Sequence, residues 1–121
     1  MTDSKMFDRG GIYLAKLYPS RGHEPGKTRA VLVLQTNMLN HIGHTTIIVV
    51  PLTTQIIADT FPLRYTVDKR DHLEKDSQLL CDQIRAIDKN RLQPEKIASL
   101  SEEELLEVEY QIQLILDFRT V

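Results

Sequence analysis

This sequence of 121 residues predicts a mainly β (α+β) fold: five or six short strands curled into a barrel or strongly bent sheet, closed by a C-terminal helix. Three observations predict it. Two apolar runs, residues 30–34 and 47–52, are rich in Val, Ile and Leu and bounded by loop residues, as strands buried on both faces are. Residues 61–67 alternate apolar Phe61, Leu63, Tyr65 and Val67 with Pro62, Arg64 and Thr66, the period of a half-buried strand. After residue 100, Leu105, Val108, Ile112, Ile115 and Leu116 form one stripe at helical spacing.

The elements follow in order. Residues 12–17, after Gly10 and Gly11, form a first strand. Residues 18–28 are an irregular loop, because Pro19, Gly22, Pro25 and Gly26 fix or free the backbone. The two buried strands come next, then the alternating one, whose Pro62 suggests a sheet edge. Short strands around 78–81 and 83–87 precede a short helix over 94–100 with Pro in its first turn. Ser101 and Glu104 make a capping box, with Leu100 and Leu105 as its hydrophobic staple, and three glutamates favour the helix dipole. No internal repeat, low-complexity tract or linker divides the chain, so 1–121 reads as one domain.

Composition excludes several classes. No apolar run approaches the roughly 20 residues of a membrane span, and the first five residues lack a signal peptide's apolar stretch. The single cysteine, Cys81, permits neither an intrachain disulfide nor a Cys-based zinc site, so a reducing, cytoplasmic setting is expected. Cys81 itself reads as a small core residue, and His41 and His44 as exposed loop histidines rather than metal ligands. The net charge of −2 hides a gradient: +3 over residues 1–44, zero over 45–100 and −5 over 101–121. A polyanion is therefore compatible with the surface away from the acidic segment, although a solvated helix and scattered cations explain the same numbers.

The two buried runs are joined by residues 36–45, too short for a parallel crossover, so they pair antiparallel. Centring that connection on His41 puts Leu34 across from Ile48 and Arg29 across from Thr53. Opposed side chains lie roughly 5 Å apart, so a guanidinium and a hydroxyl can share one ligand at the hairpin's open end. His23 and Glu24 enter from the preceding loop. A guanidinium fork, a hydroxyl, a carboxylate and an imidazole suit a tetrahedral phosphorus centre, and no metal or cofactor is implied. RNA brings its own nucleophile, the 2′-hydroxyl. Glu24 or His23 is then a candidate base, Arg29 stabilises charge and Thr53 orients a phosphate oxygen. The plainer alternative is a surface arginine and a good β-forming threonine.

At these residues the chain resembles the MazF/PemK-type toxins, the endoribonuclease half of type II toxin–antitoxin pairs. The likeness is carried by Arg9-Gly10-Gly11-Ile12-Tyr13, by the loop from Pro19 to Arg29, by Pro51-Leu52-Thr53-Thr54-Gln55 and by the stretch from Cys81 to Asp88. The family's catalytic glutamate, arginine and threonine fall on Glu24, Arg29 and Thr53. In one branch a loop histidine and a late aspartate are the acid–base pair, matching His23 and Asp82, although Leu80 stands where that branch has an arginine. Ala30 and Gly11 replace the family's usual Pro and acid.

The resemblance implies an SH3-like barrel with a C-terminal helix. It also implies metal-independent, sequence-selective cutting of single-stranded RNA, leaving a 2′,3′-cyclic phosphate and a 5′-hydroxyl. A homodimer and an antitoxin with a disordered acidic tail are the implied partners. Arg21, Lys27 and Arg85 are candidates for the RNA backbone, and Thr54, Gln55 and Gln83 for further RNA contacts, the glutamines reading base edges. Tyr18 and Phe61 are the loop-adjacent aromatic rings. Two rivals remain at this point: a non-enzymatic protein-binding toxin of the same barrel, as CcdB-type gyrase poisons are, and an RNA-binding module without chemistry.

Overall fold

The computed structural model describes residues 6–17 and 28–119. At its centre is β3 (Thr46–Thr53), which pairs antiparallel with β2 (Thr28–Val33) on one side. On the other side its first half takes β6 (Arg85–Asp88) and its second half β5 (Ser77–Leu80). β1 (Gly11–Lys16), β4 (Arg64–Val67) and β7 (Leu92–Ser99) complete a sheet ordered β4-β5-β3-β2-β1-β7, with β6 on β3. All these pairings are antiparallel. The path is not closed, because β4 and β7 are its two ends, so the barrel expectation holds as an approximate, open one.

Both faces of the sheet are buried, which explains the continuous apolar runs. Successive residues point to opposite faces. Ile12, Leu32, Val50 and Leu52 join one core cluster with Leu105, Val108 and Ile112 of the helix α2 (Glu102–Leu116). Tyr13, Val31, Val33 and Val49 join a second with Phe7, Ile87 and Leu92. The run over 47–52 is not uniformly buried, since Ile48 is 39% exposed and continuous burial spans only residues 49–52.

The capping box forms as expected. The Glu104 amide donates to Ser101 Oγ at 3.1 Å, and the Ser101 amide donates to Glu104 Oε1 at 2.8 Å. The helix stripe differs in two places. Leu116 is 47% exposed, while Gln111 is buried, donating to the carbonyls of Pro62 and Arg64 at 2.8 and 3.0 Å. Those two bonds tie the helix to the edge strand β4, the edge that Pro62 foreshadowed.

Three other expectations are corrected. Residues 94–100 are not a helix but most of β7, because pairing with β1 overrides local propensity. Pro94 is accommodated where the register slips from Tyr13↔Lys96 to Ala15↔Leu92, a bulge in which the ladder needs no donor from it. The alternating strand starts only at Arg64, since a turn with Leu63 N donating to the Thr60 carbonyl leaves Phe61 and Leu63 exposed. The link 36–45 contains a short helix, α1 (Asn37–Asn40), held by mutual bonds between buried Gln35 and Asn40. His41, expected as an exposed loop histidine, is exposed, and its Nε2 lies 3.1 Å from Asp8 Oδ1. Among the described residues, no helix is long and apolar enough to cross a membrane.

Candidate active site

Residues Val31, Leu32 and Val33 face Pro51, Val50 and Val49, the register expected from centring the hairpin on His41. The paired register ends at Val31↔Pro51, and Arg29 and Thr53 each lie two residues beyond it toward the open end. Both are half-buried, and both line a cleft of about 680 Å³ across the end of the hairpin. Leu14, Ala30 and Leu52 line its apolar part, and Thr54 and Gln55 its rim. The fourth side comes from the turn between β4 and β5, through His72, Glu74 and Lys75.

Thr53 is held from two directions. Gln78 stands directly across from it in the β3–β5 ladder. The Thr53 hydroxyl oxygen accepts from the Gln55 amide at 3.2 Å, which leaves its proton available to a ligand. Buried Gln78 fixes the rim beyond: its Oε1 accepts from the Ile57 amide at 3.1 Å and its Nε2 donates to the Ile57 carbonyl at 3.1 Å. Arg64 adds a bond from Nη1 to the Gln55 carbonyl at 2.9 Å. Thr54 and Gln55 are thus presented on a braced segment.

Strand parity relates Arg85 to this pair. Arg85 pairs with Val49, so Arg29, Thr53 and Arg85 occupy positions on one face of the sheet. Val49 and Thr53 are about 13 Å apart along the strand, roughly two nucleotide spacings from the cleft. Asp82 and Gln83 are exposed in the connection leading to Arg85 and do not line the cleft. Glu24, together with Arg21, His23 and Lys27, lies outside the described residues. That segment leaves at Leu17 and returns at Thr28, which itself lines the cleft.

Sequence reasoning missed His72, Glu74, Lys75 and Gln78. The only local hint was the charged run Asp71-His72-Leu73-Glu74-Lys75, which reads equally as a solvated turn. Cys81 is fully buried, and burial pushes its thiol up to about 12, in keeping with a core role.

Residues 8–116 match the family described as the PemK-like, MazF-like toxin of type II toxin–antitoxin systems. Endoribonuclease MazF of Staphylococcus saprophyticus is 38% identical over 117 residues, covering 96% of both chains. The fold is similar to Mycobacterium tuberculosis toxin MazF-mt6, with a TM-score of 0.74 and 23% identity over 91% of this chain and 99% of that one. It is similar also to a MazE-MazF structure from Deinococcus radiodurans, with a TM-score of 0.76 and 24% identity over 94% of this chain and 98% of that one. With the family matched along nearly its whole length and a full-length relative at that identity, this chain belongs to the PemK-like, MazF-like toxins of type II toxin–antitoxin systems.

Proposed function

We propose that this chain is an endoribonuclease toxin that cuts single-stranded RNA in the cleft at the open end of the β2–β3 hairpin. The observation that carries the reading is that Arg29 and Thr53 both line one cleft at the open end of the β2–β3 hairpin. Family membership and the endoribonuclease name of the 38% identical relative support the reaction class.

The chemistry follows from what a phosphodiester needs. The ribose 2′-oxygen attacks the adjacent phosphorus, and its proton passes to Glu24 or His23. The phosphorane that forms carries extra negative charge, which the Arg29 guanidinium offsets and to which the Thr53 hydroxyl donates. The bond to the 5′-oxygen then breaks and that oxygen takes a proton, leaving a 2′,3′-cyclic phosphate and a 5′-hydroxyl. Because the substrate supplies the nucleophile and Arg29 the positive charge, the step runs without a metal.

Thr54 and Gln55 meet the RNA at the rim of the cleft, and the exposed Asp82, Gln83 and Arg85 make further contacts outside it. Arg21 and Lys27 contribute phosphate contacts from the preceding loop. A cognate antitoxin with an acidic disordered tail competes for these cations by mimicking phosphate charge. Relatives solved as MazE-MazF, and as an endoribonuclease with its cognate antitoxin, support such a partner. The toxin acts as a homodimer in the cytoplasm.

Incubating the purified protein with a single-stranded RNA pool in EDTA tests this reading. Fragments ending in cyclic phosphate are the expected result. Retention of RNA without cleavage identifies a binding module instead, and neither outcome identifies a protein-directed toxin.

A further inference from the structure

Reading an unstacked base requires a planar surface, supplied by an aromatic ring or a guanidinium. The chain has no Trp, three Phe and four Tyr. Of the two rings expected near the site, Tyr18 lies outside the described residues. Phe61 lies elsewhere, in a hollow against α2 with Tyr65, Leu106 and Tyr110. Among the described residues that line the cleft, the aromatic ring is that of His72.

His72 also borders a second hollow of about 380 Å³, lined by Asp71, Lys96, Ile97 and Ser99. His72 and Ile97 are common to the linings of both hollows, and only the first carries Arg29 and Thr53. Of the two shared residues His72 has the planar ring, which suits it to stand between successive nucleotides.

The turn carrying His72 is clamped at several points. The His72 amide donates to the Ile97 carbonyl at 2.9 Å, and Leu73 is buried in the core beneath α2. Arg70 and Leu73 exchange backbone bonds at 3.1 and 2.8 Å, closing a tight turn with Asp71 at φ +50°. Arg70 is gripped through both guanidinium ends by Glu104. A backbone held this firmly presents the exposed His72 side chain from a fixed anchor, so ordering of the turn adds little to the cost of binding.

We infer that His72 is the base-stacking residue of this cleft, receiving the base of a nucleotide flanking the scissile phosphate and separating it from its neighbour in the second hollow. The inference rests on the ribonuclease reading and adds to it a residue that sets where the RNA is gripped.

The test uses an RNA oligonucleotide spanning a mapped cut site, made uncleavable by 2′-deoxyribose at the scissile position, with binding read by fluorescence anisotropy. His72→Ala weakens binding about 5- to 100-fold, and His72→Phe, which keeps a ring, stays within about threefold of the parent. Replacing flanking nucleotides one at a time by abasic residues finds one position at which parent and His72→Ala bind alike, because the base and its platform act as a pair. Equal binding by parent and His72→Ala overturns the inference. So does a Phe variant as weak as the Ala variant, or a difference that survives every abasic position. If the parent cuts RNA and His72→Ala binds normally, the stacking role alone fails. A parent that neither cuts nor binds RNA removes both readings.

Discussion

Glu104 receives Arg70 through both carboxylate oxygens, Nη1 to Oε1 at 2.6 Å and Nη2 to Oε2 at 2.8 Å, while the same Oε1 caps its own helix. One side chain thus joins the start of α2 to the turn that walls the cleft. The Arg70 guanidinium, with help from the Ser101 amide, holds the Glu104 carboxyl down to about 2 from its ordinary 4.5. A carboxylate depressed by folding stabilises fully above its ordinary value and loses that contribution as pH falls toward 2. Glu104→Gln should therefore cost about 1–2 kcal/mol at pH 7. The difference from the parent in urea unfolding should narrow as pH falls from 4.5 toward 2.

Arg29 lies at the mouth of the cleft, half-buried at the end of β2, and contributes nothing to either core cluster. Arg29→Ala should reduce RNA cleavage at least about 100-fold, the usual cost of losing a group that stabilises developing charge. Circular dichroism melts should show the fold unchanged. A variant that unfolds would assign Arg29 a structural role.

Gln78 is the brace behind Thr53. Gln78→Leu leaves the Ile57 amide and carbonyl without their partner, and should cost about 1–3 kcal/mol of stability. The loosened segment carries Thr54 and Gln55, so KM for RNA should rise more than kcat falls. Steady-state kinetics below the variant's melting transition separates the two.

Cys81 is enclosed between β5 and the core, with its thiol pushed up to about 12. It should resist a thiol reagent at pH 8 in the native protein and react at once in denaturant, as a colorimetric thiol assay can follow.

What the sequence disclosed was whatever is encoded locally. Ser101 and Glu104 announced the helix start because both halves of a capping box lie within one turn. The β2–β3 register followed from a short connection and two apolar runs, which left few alternatives. Residues 94–100 were misread because Glu95, Lys96 and Ala98 are sound helix formers, whereas the strand is imposed by β1 from far along the chain. Phe61 and Leu63 kept strand alternation into a turn that only the Thr60 carbonyl reveals. The wall formed by His72 and Lys75 was illegible for a related reason. Its position depends on Leu73 entering the core and on Arg70 meeting Glu104, contacts that no short window of sequence contains.

The central claim is that the RNA attacks itself while Arg29 and Thr53 hold its phosphate. Its most direct test is cleavage, in EDTA, of an RNA carrying 2′-deoxyribose at a single mapped cut site. That site should remain intact while unmodified sites in the same molecule are cut to cyclic-phosphate ends. Continued cutting at the deoxy position would show that the attacking oxygen comes from elsewhere and would contradict the account.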